Sequence, residues 1–139
     1  MAFWLLKTEP DAFSWGDQVA RGAAGEPWTG VRNHQARNLL KAMRAGDQAF
    51  FYHTGGEKQI VGVVRVIREA FPDPTDPAWD CVTVAAEAAL RQPVSLATIK
   101  ADPALADMAL VRQARLSVQP VTDQQWTRLL DLAGGTGPV

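Results

Sequence analysis

The eleven residues from Trp28 to Asn38 concentrate side chains that are suited to ligand recognition. They include one indole, two guanidinium groups, one imidazole and three primary amides, and few of them are apolar enough to serve only the core. No Asp or Glu occurs between Pro27 and Gly46, whereas four basic residues fall inside that window. This combination predicts a site for a flat, polar and anionic ligand.

Side chains elsewhere in the sequence extend this inventory. Flat faces are offered by Trp28, Tyr52 and His53. Paired donors and acceptors are offered by Asn33, Gln35, Asn38 and Gln119, and positive charge by Lys7, Arg32, Arg37 and Arg115. A nucleobase is recognised by stacking on aromatic rings and by hydrogen bonds to its edges, while basic side chains hold its phosphate. The inventory therefore favours a pocket for a nucleotide or a base.

Each of these residues also has a purely structural interpretation. Trp28 can belong to the core, Asn33 can act only as a helix N-cap, and His53 at a strand end can be a hydrogen-bonded structural residue. Lys41 fits a solvated helix face. The sequence leaves these alternatives open, although Arg37, one turn from the cap, favours a phosphate contact.

Composition limits the classes of function. The chain has 139 residues, of which 47% are hydrophobic and 21% charged, as in an ordinary soluble globular domain. Its net charge of −1 argues against a protein that coats DNA without specificity. Cys81 is the single cysteine, so an internal disulfide is excluded, and with two histidines a zinc site lacks its usual ligands. We expect no metal and no cofactor.

The N-terminal apolar run is too short for a membrane span and lacks the basic region of a signal peptide. We therefore expect a cytoplasmic protein without a membrane partner, and we expect it to be a monomer. The sequence contains no phosphate-binding loop, dinucleotide fingerprint or nucleophile elbow. We predict no catalytic residue.

The elements that position these side chains follow from the hydrophobic pattern. Strands are predicted at residues 2–7, 48–53, 60–67, 81–90 and 115–120, from short apolar or alternating runs. Helices are predicted after Ser14, over residues 33–45, after Ser95, near residues 105–111, and after a capping box at residues 122–125. The proline-rich segment 71–79 is predicted to be a surface loop.

This order of elements predicts an α+β fold. We expect a mixed or antiparallel sheet of about five to six strands that closes toward a barrel, with helices on its outside. The domain is predicted to span residues 1–139, with order from about residue 2 to 133. Because Gly134 and Gly135 end the last helix, residues 134–139 are predicted to form a flexible tail.

Several segments are more specific than composition. Residues 4–10 (WLLKTEP) and 28–38 (WTGVRNHQARN) resemble the two signature stretches of the EVE domain family. Further segments match the family in the same order, at residues 46–47, 51–53, 60–62, 72–75, 93–96 and 115–121. The resemblance extends from about Phe3 to Leu132, which is nearly the whole chain.

The resemblance implies a PUA-like β-barrel with peripheral helices, in a superfamily that is related to the YTH readers of N6-methyladenine in RNA. It implies binding without established catalysis, in a pocket for a modified base such as methylated or hydroxymethylated cytosine, carried by DNA or RNA. By position, the implied pocket residues are Lys7, Thr8, Trp28, Arg32, Asn33, Tyr52, His53, Ser117, Gln119 and Pro120. We add Arg37, Arg115 and Lys41 as phosphate contacts.

Two positions depart from the family pattern. Thr8 stands where Ser is common, and His34 stands where Tyr is common. The threonine keeps the hydroxyl group. The histidine offers a smaller ring, which weakens the expectation of stacking at that position.

The leading hypothesis is a reader of a modified base, in which Trp28 and an aromatic partner sandwich the base while Asn33 and Thr8 contact its edge. An alternative is a small PUA-like amidohydrolase that acts on acylated cytidine through Lys7, Thr8 and a glutamate. Neighbouring residues on a strand point to opposite faces, so Lys7 is poorly placed to deprotonate Thr8. A third hypothesis is a protein-binding adaptor, for which the sequence offers no exposed apolar stripe.

Overall fold

The computed structural model describes all 139 residues, from Met1 to Val139. The strands are β1 (Phe3–Thr8), β2 (Glu26–Pro27), β3 (Gln48–His53), β4 (Gln59–Asp73), β5 (Asp76–Ser95), β6 (Val118–Val121) and β7 (Thr136–Gly137). The α-helices are α1 (Trp15–Ala20), α2 (His34–Ala42), α3 (Leu96–Ala101), α4 (Ala109–Arg112) and α5 (Asp123–Leu132). Short 3₁₀ turns occur at Gly22–Ala24 and Pro103–Leu105.

The strands form one mixed sheet with the order β2-β5-β4-β3-β1-β6, and β7 pairs with β5. β1 and β3 are parallel, and the other pairs are antiparallel. The predicted α+β class, with a mixed sheet and helices outside it, is confirmed. No helix of this chain is both long enough and apolar enough to span a membrane.

Both faces of the sheet carry a hydrophobic core. In the parallel pair, Leu5 lies opposite Phe50 and Leu6 lies opposite Phe51. Because side chains alternate along a strand, Leu6 and Phe51 belong to one apolar cluster, and Leu5 and Phe50 belong to the other. The central strands are therefore buried on both sides, which explains the continuous apolar run near the N-terminus.

Helix α2 covers the first of these faces. Its inner side consists of Ala36, Leu40 and Met43, which are fully buried. The helix contacts both β5 and β6, which lie near the two ends of the sheet order, and so it bridges them. The helix ends at Ala42 rather than at the predicted residue 45, since Met43 is already extended and turns its side chain into the core.

Helix α5 covers the second face. Its predicted capping box is present. The Thr122 hydroxyl accepts from the Gln125 backbone N–H, and the Gln125 side-chain oxygen accepts from the Thr122 backbone N–H. The helix delivers Trp126 into the core, where its ring stacks on Phe3 at 4.3 Å and on Phe50 at 3.9 Å between centroids. Helices α2 and α5 thus cover the two faces of the sheet, and a local N-cap fixes where each helix begins.

The predicted loop at residues 71–79 is wrong. β4 and β5 continue through this segment as a long hairpin that reverses between Asp73 and Asp76. The prolines are accommodated because the pairing shifts register here, and because Pro72 and Pro77 are exposed. The Asp73 carboxylate accepts bonds from the backbone and hydroxyl of Thr75 and so fixes the turn.

Part of the segment predicted to be a flexible tail pairs with the sheet. Gly134 and Gly135 have φ values of 70° and 89°, so they turn the chain back toward the sheet. The Gly135 carbonyl accepts from the Arg91 N–H, and β7 then pairs with Ala89 and Leu90. The strand predicted at residues 115–120 begins only at Val118. A turn comes before it, in which the Leu116 N–H donates to the Gln113 carbonyl.

Candidate functional site

A cavity of about 390 Å³ opens where β1 ends beside the start of α1 and the segment that leads into and past β2. It is lined by Lys7, Thr8, Ala12, Phe13, Arg21, Glu26, Pro27, Trp28 and Thr29. Three of the predicted site residues, Lys7, Thr8 and Trp28, therefore come together. Ligand pockets have volumes of about 300–1,000 Å³, so this one suits a small planar group such as a nucleobase.

Two aromatic rings form the apolar part of the wall. Phe13 and Trp28 have centroids 6.1 Å apart and planes at 82°, so they form a corner and not a parallel sandwich. Trp28 is 7% exposed, and Phe51 packs against it at 5.6 Å. Trp28 is therefore both a core residue and a cavity wall, and its ring meets Phe13 at a corner; the sandwich of a base between Trp28 and an aromatic partner stays a prediction.

Lys7 and Thr8 form the polar wall at the end of β1. The Lys7 ammonium donates to the Ala114 carbonyl at 2.6 Å, and burial lowers the pKa of Lys7. The Thr8 hydroxyl donates to the Phe13 carbonyl at 2.9 Å. An ammonium group carries further N–H donors and a hydroxyl keeps acceptor lone pairs, so both groups retain capacity for a ligand.

Arg21 and Glu26 add an ion pair to the cavity, and sequence reasoning missed both. Arg21 Nε lies 2.8 Å from Glu26 Oε1, and the Arg21 guanidinium lies 5.5 Å from the Phe13 ring centroid. The feature of the sequence that points to them is Gly25. This residue has a φ of 70°, and a Cβ on it would lie 2.4 Å from the Val84 carbonyl oxygen. Only glycine lets the chain approach β5 this closely, and that approach places Glu26.

Arg32 is committed to the hairpin tip. Its guanidinium contacts Asp73 Oδ2 at 3.2 Å and donates to Thr75 Oγ1 at 2.9 Å. Asp73 is fully buried; burial alone would raise its pKa, but bonds from Thr75, Gly30 and Arg32 outweigh this and hold the pKa far below its usual range. Arg32 does not line the cavity, and its charge is balanced by Asp73.

Asn33 lies in a second concave surface, a groove of about 470 Å³. Its side chain accepts from the Ala36 N–H at 2.9 Å, so the N-cap interpretation is confirmed. The groove is lined by Asn33, Gln35, Gln113, Ala114, Arg115 and Leu116. Arg115, a predicted phosphate contact, is exposed there and makes no ion pair.

Tyr52 and His53 do not line the cavity. Tyr52 is 3% exposed in the second core, where burial raises its pKa. His53 Nε2 accepts from the Trp15 N–H at 3.0 Å, so its proton lies on Nδ1, which contacts the Glu57 carboxylate at 2.9 Å. Both ring nitrogens of His53 thus fasten α1 to the β3–β4 turn.

The last three predicted pocket residues lie on or just before β6. Ser117 contributes its carbonyl oxygen to the Lys7 N–H at 3.0 Å. Gln119 is fully buried and donates to the carbonyls of Leu116 and Gln113. Pro120 is exposed and lines a separate depression. The structure does not bring these side chains into the cavity.

Arg37 and Lys41, the other predicted phosphate contacts, lie on α2 away from the cavity lining. The Arg37 guanidinium lies 5.3 Å from the centroid of Trp79, and its Nε is buried without a partner. His34 packs on the same indole at 5.0 Å. Trp79 was missed because its segment was predicted to be a loop, whereas β5 carries it to α2.

The fold is that of a small α+β domain with a cavity at the end of β1, and the EVE domain model matches residues 2–132. The chain belongs to the EVE domain family, which confirms the resemblance and its PUA-like fold. Thymocyte nuclear protein 1 of Gallus gallus is 36% identical, over 93% of this chain and 67% of the relative.

Two solved structures of similar proteins agree with this assignment. A protein of Rhodopseudomonas palustris is 54% identical, with a TM-score of 0.92, over 96% of this chain and 94% of that one. The human THYN1 protein, crystallised in complex with DNA that contains 5-methylcytosine, is 30% identical with a TM-score of 0.89. That alignment covers 96% of this chain and 98% of the human one.

Proposed function

We propose that this protein binds a nucleic-acid strand through one modified base, with 5-methylcytosine in DNA as the first candidate, and does so without turnover. The observation that carries the proposal is the cavity of about 390 Å³, which combines an aromatic corner with a lysine and a carboxylate. The complex of the human relative with DNA containing 5-methylcytosine supports the same class of ligand.

Glu26 and Lys7, which both line the cavity, match the hydrogen-bonding edge of cytosine. The amino group at C4 of cytosine is a donor, and a glutamate carboxylate is its natural acceptor. In this account Glu26 accepts from that amino group, while Lys7 donates to the ring acceptors on the same edge. Thymine carries a carbonyl at C4, which would face the Glu26 carboxylate unfavourably, so the cavity favours cytosine over thymine.

The apolar corner accounts for the modification. A methyl group at C5 lies on the opposite side of the ring from O2, and in this account it lies against Phe13 and Trp28. Burial of one such carbon contributes about 0.8 kcal/mol. The corner formed by Phe13 and Trp28 therefore raises the affinity for a methylated base over that for a plain one by a modest factor. Lys7 and Glu26 contribute the rest of the affinity of the cavity for the base.

Phosphate contacts from Arg37, Lys41 and Arg115 remain part of the proposal. Because the net charge is only −1, binding of unmodified duplex is expected to be weak. Neutralising even a few phosphates makes affinity fall as salt increases, so the modified base contributes a larger share of the binding free energy at high salt.

The contacts of Lys7 and Thr8 favour binding over hydrolysis. The Lys7 ammonium and the Thr8 hydroxyl each donate to a backbone carbonyl, of Ala114 and Phe13 respectively. A lysine that activates a threonine must instead accept the hydroxyl proton. Multiple turnovers on acylated cytidine would overturn the proposal in favour of the amidohydrolase.

Calorimetric titration of single strands that differ only at one central base tests the proposal. We expect 5-methylcytosine to bind at least roughly four-fold more tightly than cytosine, from the burial of one methyl group. A matched RNA strand decides between the two nucleic acids. Equal affinity for all central bases would overturn the proposal. Lys7→Met is expected to weaken binding of every strand, and the exposed Lys58→Met serves as its control.

A further inference from the structure

The groove beside the base cavity differs from it in chemistry. The groove lies between the start of α2 and the segment from Gln113 to Leu116 that leads into β6. Its volume is about 470 Å³, which is again sufficient for a base and part of its sugar. The helix cap accounts for Asn33, but neither the cap nor the cavity walls account for the other side chains that line the groove.

Lys7 connects the two spaces. It lines the cavity, and its ammonium donates at 2.6 Å to the carbonyl of Ala114, which lines the groove. The backbone N–H of Lys7 also donates to Ser117, one residue beyond the groove wall. The Lys7–Ala114 contact is therefore a shared wall, and an ammonium group stands where the two spaces meet.

The groove offers amide edges and an unbalanced positive charge. The Gln35 amide donates to the Gln113 amide oxygen at 3.2 Å, which leaves one acceptor and one donor group of this pair for a ligand. Arg115 is exposed and makes no ion pair, and no acidic side chain lines the groove. Amide side chains are common partners of base edges, and arginine is a common partner of phosphate.

We propose that this groove binds the nucleotide that is adjacent, along the strand, to the one whose base enters the cavity. The inference rests on the proposed function and extends it from one base to two. The neighbouring base lies in the groove with its edge against Gln35 and Gln113, and the phosphate that joins the two nucleotides lies between Lys7 and Arg115. The protein therefore reads the modification together with one flanking base.

Strands that carry one abasic position test this inference. Each strand keeps the central 5-methylcytosine and lacks the base on its 5′ side, on its 3′ side, or on neither. For the wild type we expect one of the two abasic strands to bind roughly 5- to 150-fold more weakly, the loss typical of one bidentate pair of hydrogen bonds to a base edge. The other abasic strand is expected to bind nearly as well as the intact one.

Two variants locate the effect. Gln113→Ala removes the side chain but keeps the backbone carbonyl that Gln119 and Leu116 contact, so the fold is retained. In this variant the abasic strand should no longer bind more weakly than the intact strand. Arg115→Ala should weaken all strands alike, while Arg65→Ala, an exposed and unpaired arginine outside the groove, should change nothing. Thermal unfolding verifies that each variant is folded.

The possible failures are distinguishable. If the wild type prefers 5-methylcytosine but neither abasic position matters, the groove inference is overturned and the base cavity stands. If the abasic effect persists in full in Gln113→Ala, its assignment to the groove is overturned. If the wild type has no preference for 5-methylcytosine, the proposed function fails, and the inference that rests on it fails too.

Discussion

The buried carboxylate of Asp73 accepts a hydrogen bond at 2.9 Å from the backbone N–H of Gly30, which lies 43 residues earlier in the chain. The same carboxylate binds Arg32 and caps the turn at Thr75. The tip of the β4–β5 hairpin thereby holds the segment that follows Trp28. The Asp73 side chain thus positions the cavity wall at Trp28 and the start of α2, although it belongs to neither.

Replacement of this anchor should loosen that segment. Asp73→Ala leaves the Gly30 N–H and the Thr75 backbone without their acceptor, at a cost of about 1–3 kcal/mol in the free energy of unfolding. Urea denaturation measures the loss, and hydrogen exchange at Gly30 should accelerate. The exposed Asp11, whose side chain makes no hydrogen bond, supplies the control Asp11→Ala, which should stay within about 0.5 kcal/mol of the wild type. Unchanged exchange at Gly30 would contradict the anchoring role.

Acid should destabilise the fold through the same residue. The folded pKa of Asp73 is lowered because its hydrogen bonds outweigh its burial, and Asp47 behaves likewise through bonds from Arg44, Trp4 and Ala2. A lowered folded pKa contributes stability that is complete above the unfolded value of about 3.9 and is lost as pH falls below it. Melting temperatures between pH 7 and pH 2 should therefore fall steeply below about pH 4. Asp73→Asn should reduce this slope without abolishing it, and an identical slope would refute the assignment.

Gly62 on β4 should not tolerate a side chain. A Cβ there would lie 2.4 Å from the ring of Trp15, which packs on Phe51 at 5.1 Å. Gly62→Ala must displace the indole and is expected to cost about 1–3 kcal/mol, the usual penalty of overpacking. Gly56→Ala is the matched control, since nothing lies within 4 Å of its added carbon. Equal stability of the two variants would show that Trp15 moves freely.

The sequence predicted the fold better than it predicted the site. Alternation and caps were sufficient for most strands and for α2 and α5, because those signals are local and agree with the packing. The hairpin at residues 71–79 was missed because its prolines sit where the pairing shifts register, a relationship that only the partner strand reveals. The path of the tail was missed for the same reason, since β7 depends on the distant β5.

The site was predicted in part for a related reason. Lys7, Thr8 and Trp28 come together because β1 ends beside the chain that follows β2. Composition does not distinguish an aromatic ring that faces a ligand from one that faces the core. The Tyr52 ring lies in the core. Phe13 and Glu26 were missed because their approach to the cavity depends on tertiary contacts of the short elements around them.

Glu26 should determine the preference between two bases that both carry a 5-methyl group. 5-Methylcytosine and thymine differ at C4, where the first presents an amino donor and the second a carbonyl acceptor. Glu26→Gln supplies a donor as well as an acceptor, so the preference for 5-methylcytosine should fall by roughly 5- to 150-fold, corresponding to about 1–3 kcal/mol. Competition titration with the two strands measures the ratio.

The control for Glu26 is Glu69→Gln. Glu69 also contacts an arginine, Arg44, but lies outside the cavity. Its replacement should leave the preference between the two bases unchanged. A preference that is equally insensitive to Glu26→Gln would remove Glu26 from the account of base recognition.

In the proposed complex, the modified base enters the cavity with its methyl group against Phe13 and Trp28. NMR of a strand whose 5-methylcytosine carries a ¹³C-labelled methyl group detects this placement of the methyl group. With this placement, we expect an upfield shift of the methyl signal on binding and nuclear Overhauser contacts to the ring protons of Phe13 and Trp28. A methyl signal that shows no contact to either ring, or contacts only to residues of the groove, would contradict it.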